Sequence, residues 1–192
     1  MRGLAKSAHA RWILAGSCLT ITSCFSVQQS ETIVMFRRSA AQLSTSSKAV
    51  DLSVGDSAIV EVWARLRANH TKIRVKRGSK YRFVVPPGQI WTDWFIPTDA
   101  NGYTNGPIPF IQEAFASTKV LPDKNWFLLA GAVDCPEHEP FPIGANPAGM
   151  PVGTPVEQEM RSSGELILFA NDARSFYWNN FGRIQVIVTR AL

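Results

Sequence analysis

Gly164-Glu-Leu-Ile-Leu-Phe-Ala-Asn-Asp-Ala-Arg-Ser-Phe-Tyr-Trp-Asn-Asn-Phe-Gly-Arg-Ile-Gln-Val-Ile-Val-Thr-Arg190 is the stretch on which the reading of the fold turns. Two apolar runs, Glu165–Ala170 and Arg183–Thr189, flank a polar loop. In the second run Ile184, Val186 and Val188 fall on one face, and Arg183, Gln185, Ile187 and Thr189 on the other. A period of two marks a strand with one face on a core. The two runs are therefore expected to form strands of one hairpin. Asn171, Asp172, Asn179 and Asn180 lie between them, and Gly182 closes the loop.

That loop has two readings on its residue types. Asn and Asp collect between strands because they bond their own backbone and tolerate left-handed conformations. The same groups also make a calcium site. One carboxylate, two side-chain amides and nearby carbonyls supply the oxygens a hard cation takes, although the spacing is not that of an EF-hand.

Working outward, Ala58–Arg67 alternates as well. Ala58, Val60, Val62, Ala64 and Leu66 share one face; Ile59, Glu61, Trp63, Arg65 and Arg67 share the other. Asn69–Thr71 reads as a turn, with strands at Lys72–Val75 and Tyr81–Val85 and a buried strand within Lys124–Gly131. Short strands at this spacing, with 13 Gly and 12 Pro, predict an all-β, two-sheet antiparallel sandwich of galactose-binding-like or jelly-roll type, spanning 50–192. No helix longer than about three turns is expected. Pro97–Pro109 is too rich in turn formers for regular structure.

The chain divides into an export signal at 1–24, a tether at 25–49 and the domain. Arg2, Lys6 and Arg11 precede the apolar run Trp12–Thr22, which is too short to span a bilayer. Ile21-Thr22-Ser23-Cys24 resembles a bacterial lipoprotein signal, in which Cys24 is lipidated and anchors the chain to a membrane. Plain secretion and an uncleaved anchor are the alternatives. Cys18 would leave with the leader, so a lipidated Cys24 leaves Cys135 without an intradomain bridge. A Cys24–Cys135 disulfide requires Cys24 to be free of lipid. The tether is rich in Ser, Gln and Ala, and Ile33–Phe36 interrupts it as an added strand or a docking segment.

The formal charge of +5 falls to +2 without the first 24 residues, so the basic balance does not point to nucleic acid. Eight basic residues fall in Arg65–Arg82 with no acidic one among them. They read as a solvated hairpin face that discourages edge pairing rather than an anion-binding patch, and no aromatics interleave as a single-strand nucleic-acid surface needs. Cys135 and His138 have half a zinc spacing but no second pair to complete it.

Asn171-Asp172, the loop, Tyr177-Trp-Asn-Asn-Phe-Gly182 and the alternating last strand together resemble the PA-I-type galactophilic lectins, small bacterial β-sandwich lectins that bind galactose through calcium. The resemblance extends over about 58–190 and is sharpest at Trp91-Thr-Asp-Trp94 and Asn171–Gly182. It implies calcium held by the side chains of Asp172, Asn179 and Asn180 and the carbonyls of Phe176 and Trp94. Asp93 is a carboxylate that the family pattern does not require; it is expected either in the site or as a turn cap. The lectins place a His and a Gln on the sugar from the region of 97–112. This chain has no His there and offers Asp99, Asn101, Tyr103, Asn105 and Gln112. Asp93, Trp94, Asp99, Asn101, Tyr103, Asp172 and Asn179 are the expected carbohydrate contacts. The expected function is thus an exported, lipid-anchored, calcium-dependent carbohydrate-binding domain of the cell envelope, with no catalytic role. The alternatives are a structural envelope lipoprotein of the same fold without sugar binding, and a glycosidase using two of Asp93, Asp99 and Asp172.

Overall fold

The computed structural model describes residues 34–36, 49–104, 106–144 and 152–192, with side chains throughout except at 34–36. The export signal with Cys24, most of the tether, Asn105 and most of the Asn146–Pro155 loop lie outside these residues. Among them run β1 (Val34–Phe36), β2 (Val50–Asp51), β3 (Ser57–Trp63), β4 (Asn69–Val75), β5 (Lys80–Val84), β6 (Trp91–Asp93) and β7 (Ile96–Thr98). Then follow α1 (Pro109–Phe115), β8 (Leu129–Val133), β9 (Phe141–Pro142), β10 (Val156–Glu159), β11 (Gly164–Ala170) and β12 (Asn180–Arg190). The fold is all-β, as expected, and α1 is under two turns long.

Two sheets face each other. One runs β1-β3-β12-β5-β10, with β6 added on β12 and β7 on β6; the other runs β2-β4-β11-β8-β9. Every pairing is antiparallel except β2 with β4. The core between them takes Val60 and Val62 from β3, Phe83 from β5, Ile184, Val186 and Val188 from β12, and Leu166 and Leu168 from β11. The alternation of β12 therefore points as its period of two requires.

The hairpin expectation is corrected. β11 is central in one sheet, between β4 and β8, while β12 is central in the other, between β3 and β5. The physical reason lies in the composition of β11. Leu166–Ala170 is apolar without alternation and buried throughout, which fits a strand covered on both faces. Leu166, Leu168 and Ala170 face the sandwich core. Ile167 and Phe169 face a second cluster with Leu128, Ala130 and Ala132. Residues 171–179 thus cross from sheet to sheet at one end of the sandwich.

Three smaller departures have local causes. β3 stops at Trp63 and β4 begins at Asn69, where a turn was expected. Asn69 is fully buried; its Oδ1 accepts from Trp63 N at 2.8 Å and its Nδ2 donates to Leu168 O at 3.0 Å. One amide side chain thereby satisfies the polar backbone of a tight, buried turn. Within the Ile33–Phe36 patch, Val34–Phe36 is an added strand, since β1 pairs with β3. Cys135 is disulfide-bonded, unlike the bridge-free cysteine expected beside a lipidated Cys24.

Three of the eight basic residues in Arg65–Arg82 pair with acids among the described residues. Arg67 pairs with Glu137, Arg82 with Glu157 at 2.7 Å, and Lys76 with Asp51 at 3.7 Å. No helix among the described residues is long and apolar enough to cross a membrane.

Candidate functional site

The end of the sandwich where the 171–179 crossing lies holds a cleft of about 410 Å³. Asp93, Tyr103, Gln112, Asp172 and Asn179 are its polar lining; Trp94, Phe95, Phe115, Trp126, Phe176 and Trp178 are among its apolar walls. The sequence therefore brings Asp93, Trp94, Tyr103, Asp172, Phe176 and Asn179 to one place, and Asn180 stands directly behind them.

Local structure explains the convergence. β6 pairs with the first residues of β12, setting Asp93 opposite Asn180 and Trp91 opposite Gly182. Trp94 follows in a left-handed conformation (φ 52°) that turns β6 back into β7. Tyr103 reaches the site because the chain turns sharply at Gly102 (φ 66°), where a Cβ would collide with the Trp126 carbonyl. Tyr103 then bridges Trp126 in an isolated antiparallel pair.

Asp172 is 1% exposed. Its Oδ1 accepts from Ala173 N at 2.6 Å and its Oδ2 from Asn180 Nδ2 at 2.8 Å. Burial, with the nearby charge of Asp93 adding to it, pushes the Asp172 carboxyl up to about 7. Burial also raises Asp93, against the hydrogen bond that the Tyr103 hydroxyl donates to Asp93 Oδ2. The Tyr103 hydroxyl is itself raised, first by burial and then by Asp93.

The amide oxygens are the informative atoms. Asn179 Oδ1 and Asn180 Oδ1 are both buried and have no hydrogen-bond partner. An unmatched buried acceptor costs on the order of 1–3 kcal/mol, so a pair of them beside a buried carboxylate calls for a ligand. The side-chain oxygens gathered here are a carboxylate and two neutral amides, and Trp94 and Phe176, whose carbonyls the resemblance implies as ligands, also line the cleft. Such a set suits a hard divalent cation of the calcium type and not zinc. The Phe176 carbonyl already accepts from Asn179 N at 3.1 Å, which leaves it a second lone pair. No group of three or more His, Cys, Asp or Glu able to hold a metal occurs among the described residues, so any cation here would depend on the amide and carbonyl oxygens.

Asp99 and Asn101 do not line the cleft. Asp99 Oδ1 accepts from Asn101 N at 2.7 Å, and the Asp99 carbonyl accepts from Trp91 Nε1 at 3.0 Å. They build the turn that presents Tyr103. Asn171 likewise serves structure, bonding Leu121 through both N and O at 2.9 Å. Cys135 is disulfide-bonded, so the Cys135–His138 spacing supplies no zinc pair; His138 Nδ1 lies 3.0 Å from the Val133 carbonyl.

The sequence reading offered Gln112 but missed α1, which carries it into the cleft with Ile111 and Phe115, and also missed Trp126 and Trp178. Pro109 at the first helical turn is the signal that was there to be read. Phe115 stacks edge-on against Phe176 with ring centroids 4.9 Å apart, and so ties α1 to the crossing loop.

No protein-family model matches the chain, and no curated protein matches it. Among solved structures it is similar to one described as "EclA N-terminal domain; PllA-like lectin". That likeness is at 18% identity and a TM-score of 0.44, over 69% of this chain and 94% of that one. At such identity and score it assigns neither family nor ligand.

Proposed function

We propose that this chain is an exported, calcium-dependent carbohydrate-binding domain. The observation that carries the reading is the pair of orphaned oxygens, Asn179 Oδ1 and Asn180 Oδ1, beside the buried carboxylate of Asp172 in an aromatic cleft. Calcium would be held by Asp172, Asn179 and Asn180 and by the carbonyls of Phe176 and Trp94, and supplies a charge on which vicinal sugar hydroxyls complete the coordination. Trp178 is 77% exposed and Trp94 54%; rings left in water at a polar site suit stacking on the apolar face of a sugar. Gln112 stands in the cleft as a further hydroxyl partner.

Binding is favoured over hydrolysis. Asp93 and Asp172 share the cleft, but Asp93 is held by the Tyr103 hydroxyl and both oxygens of Asp172 are occupied by internal donors. Asp172 is thus not presented as a free acid or base facing Asp93 across a bond to be cut. The disulfide at Cys135 supports action outside the reducing cytosol. Membrane attachment through a lipidated Cys24 is the alternative to that bridge, because with Cys18 lost and Cys24 lipidated Cys135 has no partner within the chain; plain export is the form of the proposal that keeps the disulfide.

A glycan array probed with the labelled protein tests the reading. Galactose-type glycans are the expected ligands, retained in calcium and lost in EDTA. Trp178→Ala should weaken retention about three- to tenfold, the scale of one aromatic contact. Retention of no glycan in calcium by a folded protein would refute carbohydrate binding.

A further inference from the structure

We propose that Asp93 is a second carboxylate ligand of the cation, held in place by Tyr103, so that the site presents two negative charges to the ion. This rests on the cation reading above and goes beyond the ligand set that the sequence resemblance implies, in which no residue at this position takes part.

The first support is register. Asp93 is the cross-strand partner of Asn180 in the β6–β12 pair. Directly opposed residues of an antiparallel pair project from the same face, with Cβ atoms about 4.5–5.5 Å apart. Asn180 in turn donates to Asp172 at 2.8 Å and keeps its Oδ1 unpartnered. Asp93 and Asp172 therefore flank one buried amide whose oxygen has nothing to accept from.

The second support is what Asp93 does not do. As a turn cap it would bond the backbone of Trp94–Ile96, and no such hydrogen bond exists among the described residues. Its Oδ2 takes the Tyr103 hydroxyl, and no donor among the described residues reaches Oδ1. It is 9% exposed and lines the cleft. Tyr103 is a positioning residue here. Its hydroxyl orients the carboxylate as outer partners orient metal-bound carboxylates generally.

The third support is charge. Asp93 and Asp172 lie close enough to act on one another, yet neither forms an ion pair among the described residues. Lys119 is the cation that acts on Asp172. Its Nζ is committed to the Lys124 carbonyl and sits 4.8 Å from the Trp126 ring centre. Two buried carboxylates with no ion-pair partner among the described residues, beside two unpartnered amide oxygens, form an arrangement that a divalent cation neutralises.

Terbium(III) luminescence sensitised by the cleft tryptophans, with calcium as competitor, tests this on the full chain. Asp93→Asn keeps an acceptor for Tyr103 and removes only the charge. It should weaken calcium at least tenfold with the fold intact by circular dichroism, and Tyr103→Phe should weaken it less. A role as hydrogen-bond acceptor alone predicts the reverse, with Asp93→Asn near wild type and Tyr103→Phe the more damaging; that result overturns the assignment. Wild type without sensitised emission or calcium competition overturns the cation reading along with it.

Discussion

Asp172→Asn should make the calcium-free domain more stable at pH 8 and, at the same time, blind to calcium. The Asp172 carboxyl sits at about 7 in the fold against an ordinary 3.8. A raised acid favours the folded state only while it is protonated. Its contribution is complete below about 4, fades as pH climbs through about 7, and is absent above. Each tenfold in that difference is worth about 1.4 kcal/mol, so ionising the buried carboxylate at pH 8 costs the apo fold up to about 4 kcal/mol. The introduced amide carries no charge and can still meet Asn180, whose free Oδ1 accepts from it after a ring-like swap of roles. Allowing for imperfect geometry, a gain of about 1–2 kcal/mol is expected, or roughly 3–6 °C in melting temperature. Wild type should recover more than this on adding calcium, since a hundredfold excess over Kd stabilises by about 2.7 kcal/mol. Thermal melts at pH 5.5 and 8, with calcium and with EDTA, read all of this. A variant that is destabilised at pH 8 and still shifts with calcium would contradict the assignment.

Trp91→Ala should be the most destabilising single change near the site. Trp91 is fully buried, meets Phe127 edge-on with centroids 5.4 Å apart, and donates to the Asp99 carbonyl at 3.0 Å. Truncating a buried tryptophan costs about 3–5 kcal/mol through lost transfer energy and the cavity left behind. It also frees the turn that presents Tyr103 and loosens β6, which carries Asp93 and Trp94. The urea midpoint should fall by about 2 M, and calcium affinity should fall with it. Trp91→Phe keeps most of the burial and should cost about half as much. A midpoint unchanged by Trp91→Ala would mean that β6 is not anchored through this ring.

Period-two patterns read true where one face is buried and the other wet, as in Ser57–Trp63 and Arg183–Thr189. They failed to name partners. Leu166–Ala170 announced a strand, but pairing with β4 and β8 is made by residues up to about a hundred positions away, and no local pattern encodes it. The site divides the same way. Asp172, Asn179 and Asn180 lie within one loop and could be read together. Asp99 and Asn101 have the same polar character, yet they spend it on their own turn, which is the commoner fate of such residues. Trp126 and the α1 residues reach the cleft only through packing. Phe110 and Phe115 of α1 stay 71% and 39% exposed, so that helix carries no buried stripe by which periodicity could have revealed it.

Calcium titrated calorimetrically into the EDTA-stripped full chain at pH 7.5 tests the central claim most directly. One ion per chain should bind with release of less than one proton on average, visible as a heat that changes between buffers of different ionisation enthalpy, because Asp172 is only partly protonated at that pH. No heat at millimolar calcium from a folded chain would contradict the account, leaving Asn179 and Asn180 with oxygens that nothing binds.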